Sequence, residues 1–85
     1  MSPFEVEWEP AAEDELARLW LRSADPQAIT KAQAQADQLL ARDPIQYGRH
    51  LSEGLYAIDL PPLVLTYTID SAKRLVEVTW VRSST

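Results

Sequence analysis

At 85 residues the chain has room for one domain around one core, and a core of that size is only marginally stable alone. Its 46% hydrophobic content and two glycines argue against a disordered tail, and the absence of cysteine excludes disulfides and thiolate metal sites. A net charge of −5, with six of the thirteen acids and none of the eight bases in residues 1–15, argues against a protein that coats nucleic acid. The longest apolar stretch, Leu60 to Leu65, is far too short to span a membrane, and no basic segment followed by an apolar run opens the chain. A cytoplasmic protein with no membrane contact is expected.

Phe4–Glu9 alternates strictly, with Phe4, Val6 and Trp8 on one side and Glu5, Glu7 and Glu9 on the other, as a half-buried strand does. Pro10 suits a first helical turn, where no amide is lost. Ala12, Leu16, Leu19 and Trp20 then form a helical stripe through Arg22, with Asp14 and Arg18 spaced for an i,i+4 pair. Asp25-Pro26 reads as an N-cap and first position of a second helix, Gln27–Arg42, with the stripe Ile29, Ala32, Ala36, Leu39 and Leu40. Asp43-Pro44 stops it. The short link at Ser23–Asp25 makes the two helices an antiparallel hairpin.

Residues 43–53, punctuated by Pro44, Gly48 and Ser52, read as a loop. Three strands follow: Gly54–Leu60 and Leu63–Ile69 on either side of Pro61-Pro62, then Arg74–Arg82 after the turn Asp70-Ser71-Ala72-Lys73. The expected fold is α+β in the order β-α-α-β-β-β: a helical hairpin on one face of a largely antiparallel four-stranded sheet, as one domain over 1–85. The sheet position of the first strand is left open.

That order, in so short a chain, resembles the RelE/ParE toxins of bacterial type II toxin–antitoxin modules. Trp8-Glu9-Pro10 followed by Ala12-Glu13-Asp14-Glu15-Leu16 is similar to the family's start. Gly48-Arg49-His50-Leu51 through Gly54-Leu55-Tyr56-Ala57-Ile58 is similar to its loop and second strand. Leu65-Thr66-Tyr67-Thr68-Ile69-Asp70 and Val76-Glu77-Val78-Thr79-Trp80-Val81-Arg82 resemble its last two strands. The resemblance implies a toxin-like protein neutralised by a protein antitoxin, with no cofactor. It acts either by ribosome-dependent messenger RNA cleavage or, as in the ParE branch, by inhibiting a protein such as gyrase, which needs no catalytic residues. A non-toxic, non-catalytic interaction module on the same fold is the alternative.

The departures bear on chemistry. Ribonuclease members surround the sheet with arginines, lysines and a late tyrosine or histidine, which position phosphate and move protons. Val64 stands where the family usually has an arginine, and only Ser83, Ser84 and Thr85 follow Arg82. Of the family-like basic positions, Arg49 persists in the loop, and Arg82 falls roughly where the family has His or Arg. Arg49, His50 and Arg82 are therefore the candidate catalytic set; His50 and Ser52 resemble a base and nucleophile, but no third group is placed to orient them.

If alternation holds throughout, Tyr56, Ile58, Leu60, Leu63, Leu65, Tyr67, Ile69, Val76, Val78 and Trp80 join Phe4, Val6 and Trp8 under the helices. The second face then carries Glu5, Glu7, Glu9, Asp59 and Glu77 and no Lys or Arg. Its apolar residues Leu55, Val64, Leu75 and Val81, with Lys73 and Arg74 in the last turn, are expected contacts for a target, an antitoxin or a second copy in a homodimer. Glu5, Glu7 and Glu9 spread over about 13 Å of strand, too far to converge on a metal ion, and read better as a charged guard on a sheet edge. Trp8, Trp20 and Trp80 are expected in the core, unless one or two stay exposed as partner anchors.

Overall fold

In the computed structural model, which describes residues 3–84, the N-terminal alternation forms β1 (Glu5–Trp8) and Pro10 opens α1 (Pro10–Arg22) at its first turn. The second helix, α2 (Pro26–Arg42), is capped by Asp25, whose carboxylate accepts from the Ala28 amide at 3.3 Å. Ile29, Ala32, Ala36 and Leu40 of α2 and Ala12 of α1 are buried, with Leu16, Leu19 and Leu39 packed beside them, so the stripes lie where the 3.6-residue period put them. Trp20 ends the α1 stripe outside the core, and its indole donates to the Thr30 hydroxyl at 3.2 Å. Arg18 pairs with Glu15 at i−3, 3.1 Å away, rather than with Asp14 at i−4, and Glu15 also stands 3.7 Å from Arg22.

The expected loop 43–53 is instead ordered as one helical turn, α3 (Pro44–Tyr47), and a short strand, β2 (Arg49–Ser52). With β3 (Leu55–Leu60), β4 (Leu63–Asp70) and β5 (Leu75–Ser83) the sheet has five strands rather than four, in the order β1-β5-β4-β3-β2. β1 runs parallel to β5, and every other neighbouring pair is antiparallel. β2 escapes sequence detection because it is an edge strand, exposed at all four residues, with a register shift between His50 and Ser52. No hydrophobic alternation is imposed on such a strand.

Asp43 joins these pieces: its amide closes α2 on the Leu39 carbonyl at 3.0 Å, and its carboxylate accepts from the Gln46 amide at 3.0 Å to start α3. Asp43→Ala is expected to destabilise the protein by about 1 kcal/mol, seen as a lower urea midpoint with an unchanged slope.

The core lies between the helical hairpin and one face of the sheet, where Ile58, Leu63, Leu65, Tyr67, Val76, Val78 and Val81 are buried. Alternation does not survive the whole of β5. Tyr67 pairs with Val78 and Thr66 with Trp80, so Thr79 is an extra residue and the faces switch after it. Val81 therefore enters the core, and Trp80 turns out of it at 43% exposure, the reverse of the expectation for both. Of the three indoles only Trp8 packs on the core, its Nε1 donating to Asp37 at 3.0 Å.

Candidate functional site

The bulge at Thr79 decides what the second face of the sheet presents. Side chains paired across neighbouring strands share a face, so Arg49, Ala57, Thr66 and Trp80 form one row across β2, β3, β4 and β5. Asp59, Val64 and Arg82 form the next. The face thus carries Arg49 and Arg82, contrary to the expectation of a surface without bases. Its acids divide as well. Glu7, paired with Glu77, and Glu5, beside Leu75, lie towards the β1 edge, while Asp59 lies between the two arginines.

These two rows build a shallow trough. Its floor is Ala57, Thr66 and Val64; its walls are Arg49 with Asp59 on one side and Trp80 with Arg82 on the other. Arg49 on β2 stands three strand spacings, about 14 Å, from Trp80 and Arg82 on β5, and Asp59 on β3 lies between them. Ala57 and Val64 are 2% and 6% exposed although they belong to no helix-side core cluster.

Arg49 meets Asp59 through two hydrogen bonds, Nε to Oδ2 at 2.9 Å and Nη2 to Oδ1 at 3.2 Å. This fork geometry is the strongest an arginine makes to a carboxylate. The hydrogen bond from Arg49 holds the Asp59 carboxyl below its ordinary range, with attraction from Arg49 and Arg82 adding to it; Asp59 in turn raises Arg49. The pair's contribution to stability is present above the ordinary carboxylate range and fades as pH falls through the lowered value. Both side chains are half exposed, so solvent screens most of it. Arg82 reaches towards Asp59 only by charge, and its Nη1 donates to the Ser83 carbonyl at 3.3 Å.

His50 does not join the arginines. It pairs with Tyr56, which puts it on the helix side of the sheet, with its ring edge-on to Tyr56 at 5.3 Å. Tyr56 stacks in turn on Tyr67 at 5.8 Å. The candidate set Arg49, His50 and Arg82 is therefore split between two faces, and the carboxylate that lies between the two arginines, Asp59, is already bonded to Arg49.

Lys73 and Arg74 lie at the opposite end of β5 from Arg82, in the turn that begins it. Asp70 accepts from the Lys73 amide at 3.0 Å, and Arg74, at φ 52°, places its guanidinium 4.2 Å over the Phe4 ring. Leu55 and Leu75 are partly covered on the second face, Val64 is floor, and Val81 is core. Trp80 takes the exposed alternative open to the indoles, whereas Asp59 is not among the residues that the sequence points to as a site. The only hint lay in β5, where Val76 and Val78 are two apart but Val78 and Val81 three.

Further exposed apolar surface lies away from this face: Trp20 and Leu21, at 45% and 76% exposure, border a groove of about 500 Å3 between α1 and α2 with Leu16, Ala17 and Ile29. Ile45, Tyr47 and Leu51 are exposed along α3 and β2. Among the described residues no three His, Asp or Glu side chains gather as metal ligands would, and no helix is long and apolar enough to cross a membrane.

No protein-family model and no curated protein sequence matches the chain. Solved structures do. A chain of the RelBE2 toxin–antitoxin complex of Mycobacterium tuberculosis superposes with a TM-score of 0.82 at 23% identity, over 98% of this chain and 93% of that one. A chain of the chromosomal ParDE system of P. aeruginosa gives 0.72 at 14% identity, over 96% and 97%. One from the archaeal RelE–RelB complex of Pyrococcus horikoshii gives 0.63 at 11%, over 95% and 94%. At these identities the likeness is one of fold, and it runs nearly end to end in both partners: the chain is built on the RelE/ParE fold.

Proposed function

We propose that this chain is the toxin-like component of a two-protein toxin–antitoxin module, held by a protein antitoxin. The end-to-end likeness to chains from toxin–antitoxin complexes carries the reading. The exposed apolar residues Trp20, Leu21, Ile45, Tyr47 and Leu51 give an antitoxin surface to cover.

The mode of action that suits the trough best is binding to a protein target, gyrase being the example the resemblance supplies. Cleavage of RNA on the ribosome needs groups that take up and deliver protons beside the groups that hold phosphate. Here His50 faces away from Arg49 and Arg82, and the nearest carboxylate is engaged by Arg49. Trp80 beside Arg82 on a face with a covered apolar floor is instead the kind of aromatic–arginine pair that anchors protein interfaces.

Induced expression in the absence of any antitoxin tests the reading. Growth arrest is expected, with intact translated messenger RNA in the arrested cells, and Trp80→Ala with Arg82→Ala should relieve it. Cleaved messenger would replace the binding mechanism with an enzymatic one. Normal growth at full soluble expression would overturn the toxin reading in favour of a non-toxic interaction module, which the acidic β1 side of the face also suits.

A further inference from the structure

We infer that Asp59 is the specificity-determining residue of the trough: as an internal counter-ion it keeps phosphate-bearing ligands off Arg49 and Arg82. The inference concerns the face itself and stands whether or not the chain is toxic.

Three observations place Asp59 in that role. Its two oxygens take Nε and Nη2 of Arg49 at 2.9 and 3.2 Å, the same fork a phosphate would occupy. It stands opposite Val64, whose other neighbour across the sheet is Arg82, so one carboxylate lies between both arginines on a single face. It is also half exposed, and both of its side-chain oxygens are taken by Arg49.

With Asp59 charged, the three groups carry one net positive charge, and the better-aligned guanidinium is occupied. An incoming phosphate must displace a bonded carboxylate and then lie against it, since like charges at this range repel. A ligand presenting apolar or neutral polar groups meets no such penalty. Neutralising Asp59 leaves both arginines, the covered floor and Trp80 in place and doubles the net charge of the cluster. The expected gain is one or two charge-assisted hydrogen bonds to phosphate.

The test measures binding of a short fluorescent single-stranded oligoribonucleotide by anisotropy at low salt. Wild type is compared with Asp59→Asn, Asp59→Ser and the double variant Asp59→Asn with Arg49→Gln. Both single variants should bind about tenfold or more tightly than wild type, as one charge-assisted hydrogen bond supplies. Their binding should weaken steeply as salt is raised, and the double variant should fall back to the wild-type level. Thermal melts establish that each variant is folded, and two single substitutions of different size keep the result from hanging on one of them. Equal affinity of wild type and both folded single variants overturns the inference, as does a gain that survives loss of Arg49.

Discussion

Replacing Gly48 by alanine is expected to destabilise the protein by about 3 kcal/mol, the upper part of the range for overpacking a closed site. A methyl group at position 48 would lie 1.7 Å from the Tyr67 hydroxyl oxygen, 2.8 Å from its ring carbon Cζ and 3.1 Å from the Ala57 carbonyl. Tyr67 has nowhere to retreat. It is fully buried, stacked on Tyr56, and its hydroxyl donates to the Pro44 carbonyl. Gly48 has φ −101°, so its conformation is open to any residue and space alone demands the glycine. The ordinary stabilisation from removing a flexible glycine, about 0.4–1 kcal/mol, is thus overwhelmed. Either Tyr67 gives up its hydrogen bond or β2 moves outward, which also draws Arg49 away from Asp59. Urea denaturation of Gly48→Ala, Tyr67→Phe and the double variant separates these. Removing the hydroxyl relieves the shortest clash, so the double variant should lose clearly less than the sum of the singles. Additive losses, or a loss below about 1 kcal/mol for Gly48→Ala, would mean that β2 shifts freely and that the glycine has no packing role.

This corner shows why the sequence carried some elements openly and concealed others. The β1 alternation, both helical stripes and the Asp25-Pro26 start are local: their period and caps are complete within a few residues, and each appears in the structure. The hairpin at Pro61-Pro62 was legible for the same reason. β2 was not, because four residues exposed on both faces obey no period, and pairing with β3 is what makes them a strand. The place of β1 beside β5 brings Glu5 against Leu75, seventy residues apart, a choice no local pattern encodes.

The candidate site suffered most, since facing was inferred by counting in twos. One extra residue, Thr79, moved Trp80 and Arg82 to the open face and Val81 into the core. A face read as acidic and without bases thereby acquired an arginine at Arg82, and the unforeseen β2 supplied another at Arg49. Val64, on β4, is on the same face by pairing with both of its neighbours and lies buried between Asp59 and Arg82.

Tyr67→Phe is expected to change the pH dependence of stability as well as its size. Burial raises the Tyr67 hydroxyl to about 12 from its ordinary 10.0, with the neighbouring Tyr56 and Asp43 adding to the effect. In the unfolded chain the same group ionises at its ordinary value. A raised folded value stabilises fully below about pH 10, and that contribution is lost as pH climbs towards about 12. For a shift of this size the loss is on the order of 2 kcal/mol. Below about pH 10 the wild type should be the more stable by about 1–2 kcal/mol, because phenylalanine leaves the Pro44 carbonyl without its donor. Phenylalanine cannot ionise, so the difference should shrink above about pH 10 and change sign near pH 11. Urea midpoints from about pH 8 to 12 would show the two curves crossing. A constant offset over that range would mean that the hydroxyl ionises as freely in the fold as out of it, and that Tyr67 is not sealed between α3 and the sheet.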